Sequence, residues 1–372
     1  MNNNKLIAVA AVAIIVLAGI GIAYTLTRDN SSDGSNIIID ARGRAVVIPD
    51  EINSILAIKS CSLQLVSFFD AVDKVKNLDV NESFTDVNRT HTFILKDLLN
   101  GDGVRYEDLP RVDTSSAEQV INAKVDIVIS SSVAVSALDS EQSRFGVPVF
   151  AINADLEFDS PEMYYQLFAL GRLFGEEQRA VDLVYGIQSL VHGITDKVGD
   201  ASGKGYACGM NFMGANATPF LRASGDYLPF TYSKLENVSV HSSMGVGGQP
   251  YDTSQEAVIE KKPTVIFIDG MGLNATVDYI KNNKGTLNLI PAISNGEIYK
   301  TMVYKNWGTN WVNQMINVYY VASIVHKTDT VFDWTFENKA NEIIQLFYPG
   351  TTVTYSELAG AQAGGVCRQI TL

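Results

Sequence analysis

Apolar positions follow three different rhythms along the 372 residues. Residues 6–27 form one uncharged, mostly apolar run, LIAVAAVAIIVLAGIGIAYTLT. At about 1.5 Å per residue this run spans about 33 Å, the thickness of a hydrocarbon core. A cleavable signal has a shorter apolar region, about 7–15 residues, ending in small side chains. The run therefore reads as a transmembrane anchor over residues 1–28, with a cleaved signal peptide as the alternative. Lys5 and the terminal amine keep the N-terminus inside, so both readings export the rest. Residues 29–36 (DNSSDGSN) are a polar, flexible tether.

From residue 37 the rhythm changes to short apolar runs. Residues 37–39 and 45–48 flank Asp40-Ala41-Arg42-Gly43-Arg44, a hairpin-like pattern. Residues 54–58, 125–129 and 147–152 read as buried strands, residues 63–75 as a helix. Strands alternating with helices predict a parallel sheet covered by helices, a Rossmann-like lobe over 37–159. The middle differs. Ser160-Pro161-Glu162 starts a helix with a capping hydroxyl, a first-turn proline and an acid. Helical periodicity pauses near Gly175 and resumes to about residue 198, so residues 160–200 are expected to form a long connector helix. A second α/β lobe follows over 201–372. Its expected strands are 205–212, 265–268 and 298–299; its expected helices are 310–325 and 336–347.

A short internal repeat links the halves. Ser116 to Ile121 and Lys124 to Val128 align with Ser254 to Ile259 and Lys262 to Ile266. Each copy reads as a capping-box helix (Ser115-x-x-Glu118; Thr253-x-x-Glu256) running into an apolar strand.

Charge narrows the function. Lysine and arginine number 28 against 41 acids, a net charge of −13. A nucleic-acid binder would show a basic face. Cys61, Cys208 and Cys367 are too widely spaced for a disulfide framework or a zinc cluster. None of the four histidines pairs at metal-ligand spacing on a helix, and no nucleophile elbow is present. Residues 199–205 (GDASGKG) only faintly resemble a phosphate loop and read as a turn. No catalytic residue, metal site or cofactor is therefore expected. What remains is polar and aromatic side chains at strand ends, where α/β folds bind ligands. The first lobe offers Ser60, Cys61, Ser62 and Ser131. The second offers Asn211, Phe212, Arg222, Asp269, Tyr304, Asn306, Trp307 and Asn310. Trp311 is the residue of this group expected to pack in a core.

Several segments in order resemble the substrate-binding proteins of ABC importers for iron complexes and cobalamin, in the archaeal iron-complex branch. They are the opening from Ile39 to Pro49, the stretch from Ser115 through Ile129, Gly146-Val147-Pro148-Val149, residues 169–175, and residues 304–320. Val125 stands where that family usually has proline, and Lys305 is inserted into its tyrosine-asparagine-tryptophan pattern. The resemblance implies two lobes joined by a long helix and a ligand trapped between them: a siderophore, haem or corrinoid. It also implies a permease and its ATPase as partners, with Glu118 and Glu256 docking onto permease arginines. The expected protein is a non-enzymatic monomer on the outer face of the cytoplasmic membrane. Two rivals stand beside it. One is a chelatase-like exported enzyme, for which Glu236 and His241 are the nearest acid–histidine pair; the other is a sensory surface domain.

Overall fold

The computed structural model describes residues 36–210, 218–239, 250–327 and 332–372. The segment expected to be anchor and tether, up to residue 35, together with Asn211, Phe212 and His241, lies outside the described residues. Among the described residues no helix is long and apolar enough to cross a membrane.

The chain opens with the expected hairpin, β1 (Asn36–Ile39) against β2 (Ala45–Ile48). Asp40 makes its turn: the carboxylate accepts from the backbone N–H of Arg42 at 2.9 Å and of Arg44 at 3.0 Å. Five parallel strands follow: β3 (Ile55–Ile58), β4 (Val75–Asp79), β5 (Arg111–Val112), β6 (Ile127–Ser130) and β7 (Val149–Ala151). Their order is β5-β4-β3-β6-β7. In β3, β6 and β7 every residue is buried, because helices cover both faces of such a sheet.

One sequence expectation fails inside this lobe. Residues 63–75 are not one helix. The Ser62–Val66 helix stops, a 3-10 turn spans Asp70–Lys74, and Val75 begins β4. Adjacent Phe68 and Phe69 are both buried, one against Phe347 at 4.8 Å and the other against Phe174 at 5.6 Å between ring centroids. A continuous helix would turn these neighbours about 100° apart, leaving one of them outside.

The connector also departs from the single expected rod. Ser160 caps the Pro161–Phe174 helix, its hydroxyl accepting from the Met163 N–H at 3.2 Å. That helix ends at Gly175, at φ +73°, where the Glu176 N–H reaches the Gly171 carbonyl at 2.7 Å. A second helix, Glu177–Thr195, then folds against the first. A methyl group on Gly171 would stand 2.6 Å from the Ala180 methyl, so glycine permits the close crossing.

The second lobe has β8 (Lys204–Cys208), β9 (Arg222–Ala223), β10 (Glu236–Asn237), β11 (Tyr251–Asp252), β12 (Val265–Asp269), β13 (Ile298–Thr301) and β14 (Arg368–Gln369). Its parallel centre runs β10-β8-β12-β13, with β9 and β11 antiparallel beyond β8 and β14 antiparallel at the far edge. Helices Trp311–Val325 and Phe336–Phe347 form where expected. They do more than cover their own sheet. One apolar cluster runs from β3 through both connector helices into these two and the Tyr355–Ala361 helix. The lobes therefore share part of a core.

Candidate functional site

In both sheets the chain reverses winding direction between two central strands, β3 and β6 in the first lobe, β8 and β12 in the second. Ligands of open α/β sheets bind outside the carboxyl ends of the strands at such points.

At the first point the backbone of Lys59 and Cys61 is left-handed, φ +65° at each. Asp79, at the end of β4, holds it there. One carboxylate oxygen accepts from the Lys59 N–H at 3.1 Å, the other from the Asn81 N–H at 2.8 Å. The Lys59 ammonium bonds Glu141 and the Ser132 hydroxyl. Glu141 is itself buried and accepts from the Ser130 and Ser132 hydroxyls at 2.8 Å each. Every acceptor around the buried Glu141 has a partner, and the half-exposed lysine is held in one orientation by these bonds.

Lys59, Ser60, Asp79, Glu82, Arg89 and Trp307 border a cavity of about 290 Å³. Arg89 meets Glu82 at 2.7 Å, and His91 meets the same carboxylate at 3.3 Å. Burial raises the Glu82 pKa, but His91, Arg89 and Arg111 outweigh it and hold the carboxyl below its usual range. The second lobe supplies one wall through the tight loop 304–310, closed by an Asn306 N–H bond to the Gly308 carbonyl at 3.0 Å. Trp307 sits at its tip with φ +53° and 63% of its surface exposed. Large side chains held in this conformation are uncommon and concentrate at functional sites.

The other sequence candidates divide by location. Asn306 donates to Asp86 at 2.7 Å, and Asn310 donates to the Asn88 carbonyl at 3.0 Å while accepting from Thr90 at 3.0 Å. Both asparagines clasp the lobes together. The Cys61 thiol is buried against the same loop, donating to the Thr309 carbonyl at 3.4 Å, and burial pushes its pKa up to about 12. It is a protonated packing group. Ser62 is fully buried, its hydroxyl spent on the Ile58 carbonyl at 2.6 Å. Ser131 is largely buried at the end of β6. Arg222 is buried on β9, 2.9 Å from Asp252. Asp269 is fully buried, accepting from the Tyr304 N–H at 2.7 Å and the Met271 N–H at 2.9 Å. Tyr304 is buried against Tyr227. Trp311, as expected, is core: its indole N–H donates to the Leu156 carbonyl at 2.7 Å. Thus Ser60 and Trp307 share a cavity, while Ser62, Arg222 and Asp269 hold protein to protein.

Lys59, Asp79, Glu82, Arg89 and Glu141 escape the sequence reading. The first sits one residue after a recognised strand. Asp79 ends a strand, VKNLD, too short and polar for periodicity to reveal.

The repeat is visible in three dimensions, with one correction. Ser116 and Ser254, not Ser115 and Thr253, cap the Ala117–Asn122 and Gln255–Lys261 helices, accepting from Gln119 and Ala257. No capping box forms, because the carboxylates stand one position too early. Glu118 and Glu256 instead project from the second position of each helix, both exposed. Each helix runs into the matching central strand, β6 or β12.

Solved structures share this architecture. An ABC transporter solute-binding protein from Sulfurospirillum deleyianum superposes with a TM-score of 0.61 at 17% identity, covering 87% of this chain and 98% of that one. The molybdate-binding protein MolA of Haemophilus influenzae, bound to molybdate, gives 0.60 at 19% identity over 86% and 99%. The periplasmic haem-binding protein HutB of Vibrio cholerae gives 0.52 at 16% over 73% and 98%. At such identities the likeness is one of fold. No curated protein matches the chain. A family model described as periplasmic binding protein matches residues 74–302, more than half the chain and spanning both lobes, and with that match the chain belongs to the periplasmic binding protein family.

Proposed function

We propose that this solute-binding protein captures a metal chelate, an iron complex such as a siderophore or haem, or a corrinoid, in the crevice between its lobes. It delivers this cargo to an ABC permease powered by a partner ATPase. Residues 6–27 tether it to the outer face of the membrane, and it acts as a monomer without chemical turnover.

The observation that carries this reading is Trp307. An indole with 63% of its surface exposed, fixed at the mouth of a cavity whose floor is charged and pre-bonded, suits a bulky ligand with both apolar and polar faces. The similar folds of the molybdate and haem binders support a cargo of this general kind. Covering about 100 Å² of the indole contributes about 2.5 kcal/mol, or about sixtyfold in affinity. Trp307→Ala should therefore weaken chelate binding by about that factor and leave the melting temperature near wild type. Collapse of stability, or unchanged affinity for the chelate that a thermal-shift screen identifies, refutes the site.

Docking is assigned to Glu118 and Glu256. Their matched, exposed positions on the two lobes would set register with a cationic permease surface, affecting encounter more than final affinity. Reversing both to lysine should abolish transport without changing cargo affinity. Normal transport by that double variant refutes the assignment.

A further inference from the structure

The matched helices share more than their glutamates. Ser116, Glu118, Val120, Ile121 and Lys124 recur as Ser254, Glu256, Val258, Ile259 and Lys262. Folding accounts for two of these pairs: the serines cap their helices and the valines are buried. The other three pairs reach the surface. Glu118, Glu256, Lys124 and Lys262 are exposed, Ile121 is 55% exposed and Ile259 is half-buried. Between them the copies differ: Gln119 stands against Ala257, Asn122 against Glu260 and Ala123 against Lys261. The two lysines also share a conformation. Their φ angles are +51° and +50°, and each backbone N–H bonds the carbonyl of its own isoleucine, at 3.1 and 3.2 Å. Glycine is the usual residue for a left-handed turn at a helix end, so the backbone does not select lysine there. Among the described residues no ion pair engages any of these four charges.

Glu118 and Ile121 lie one turn apart on one side of their helix, and Lys124 follows the glutamate by about 9 Å along the axis. An acid, an aliphatic side chain and a base therefore succeed one another along the first lobe, and the second lobe repeats the order. We infer that the docking surface of each lobe is this whole strip, Glu118–Ile121–Lys124 and Glu256–Ile259–Lys262. The permease then meets each lobe with the complementary order: a cation, an apolar recess and an acid. The inference rests on the glutamate docking proposed above and adds to it the two lysines and an acidic group on the partner. It also supplies what glutamates alone lack. With 41 acids on this chain against 28 bases, many carboxylates could satisfy a cationic site. A strip carrying both signs is directional, because a partner surface turned end for end sets like charges together.

Photo-crosslinking of the full chain in its own cells tests this, with p-benzoylphenylalanine placed singly at Ile121 or at Lys261, the exposed neighbour of Lys262. Both probes should join the chain to a permease subunit identified by peptide mass spectrometry. Probes at Leu99 and Tyr185, exposed positions on the loop before β5 and on the second connector helix, should not. The yield from the Ile121 probe should fall at least fivefold in Lys124→Gln with Lys262→Gln, two exposed ion pairs being lost together. Lys124→Arg with Lys262→Arg keeps both charges and should stay within twofold, with melting temperatures of all variants near wild type. Absence of a permease adduct at Ile121 and Lys261, equal adducts from Leu99 or Tyr185, or full yield without the lysine charges overturns the proposal. Loss of the adduct in Glu118→Lys with Glu256→Lys but not in the lysine variants overturns this inference alone. The reverse pattern overturns the glutamate assignment alone.

Discussion

Replacing Asp269 with asparagine should flatten the dependence of stability on pH. Burial lifts this carboxyl from 3.8 to about 7, against the opposing pull of the Tyr304 and Met271 N–H donors and of Lys300. A folded-state pKa above the unfolded one means that protonation favours the native state. The associated stability is complete below the unfolded pKa and is lost as pH rises through about 7. The whole effect is on the order of 4 kcal/mol, of which about 2 kcal/mol falls between about pH 5.5 and about pH 8.5. Asparagine cannot titrate. It also cannot accept at both positions, so the variant should be less stable at every pH by about 1–3 kcal/mol. The diagnostic quantity is therefore the slope. Urea unfolding at the two pH values, with m unchanged between proteins, should show wild type losing about 2 kcal/mol more than the variant on going to high pH. Parallel pH profiles would refute the claim that Asp269 titrates near neutrality and that its burial sets the local electrostatics.

Two structural predictions follow from the lobe seam. A methyl on Gly308, at φ +104°, would stand 2.4 Å from the Cys61 sulfur, so Gly308→Ala should cost about 2–4 kcal/mol. Adding Cys61→Ala should recover the steric share, and a double-mutant cycle with no coupling would contradict the contact. Phe68→Ala should cost about 3–5 kcal/mol because its ring packs on Phe347 and, at 6.4 Å, Trp311. If the lobes share a core, calorimetry should show that variant melting both lobes together; separation into two transitions would show them independent.

Much of this protein is written in short-range pattern. The Asp40 turn, the Ser160-Pro161 helix start and the two matching helix-to-strand repeats depend on interactions within a few residues. The sequence alone therefore determines them, along with the α/β class and the two-lobed plan. The two exposed glutamates occupy equivalent positions because the repeat places each at the second residue of its helix. Trp307 and Trp311 mark the boundary of that kind of inference. They are four residues apart, yet one is 63% exposed and the other wholly buried. The difference arises from what the first lobe places against them: Leu156 and Phe68 against Trp311, an open cavity beside Trp307. The pairing of Lys59 with Glu141 and the clasp of Asn310 on Asn88 are likewise tertiary decisions. Each joins residues across separations at which local propensity carries no information. Burial and bonding there are set only once the two sheets and their shared helices have packed.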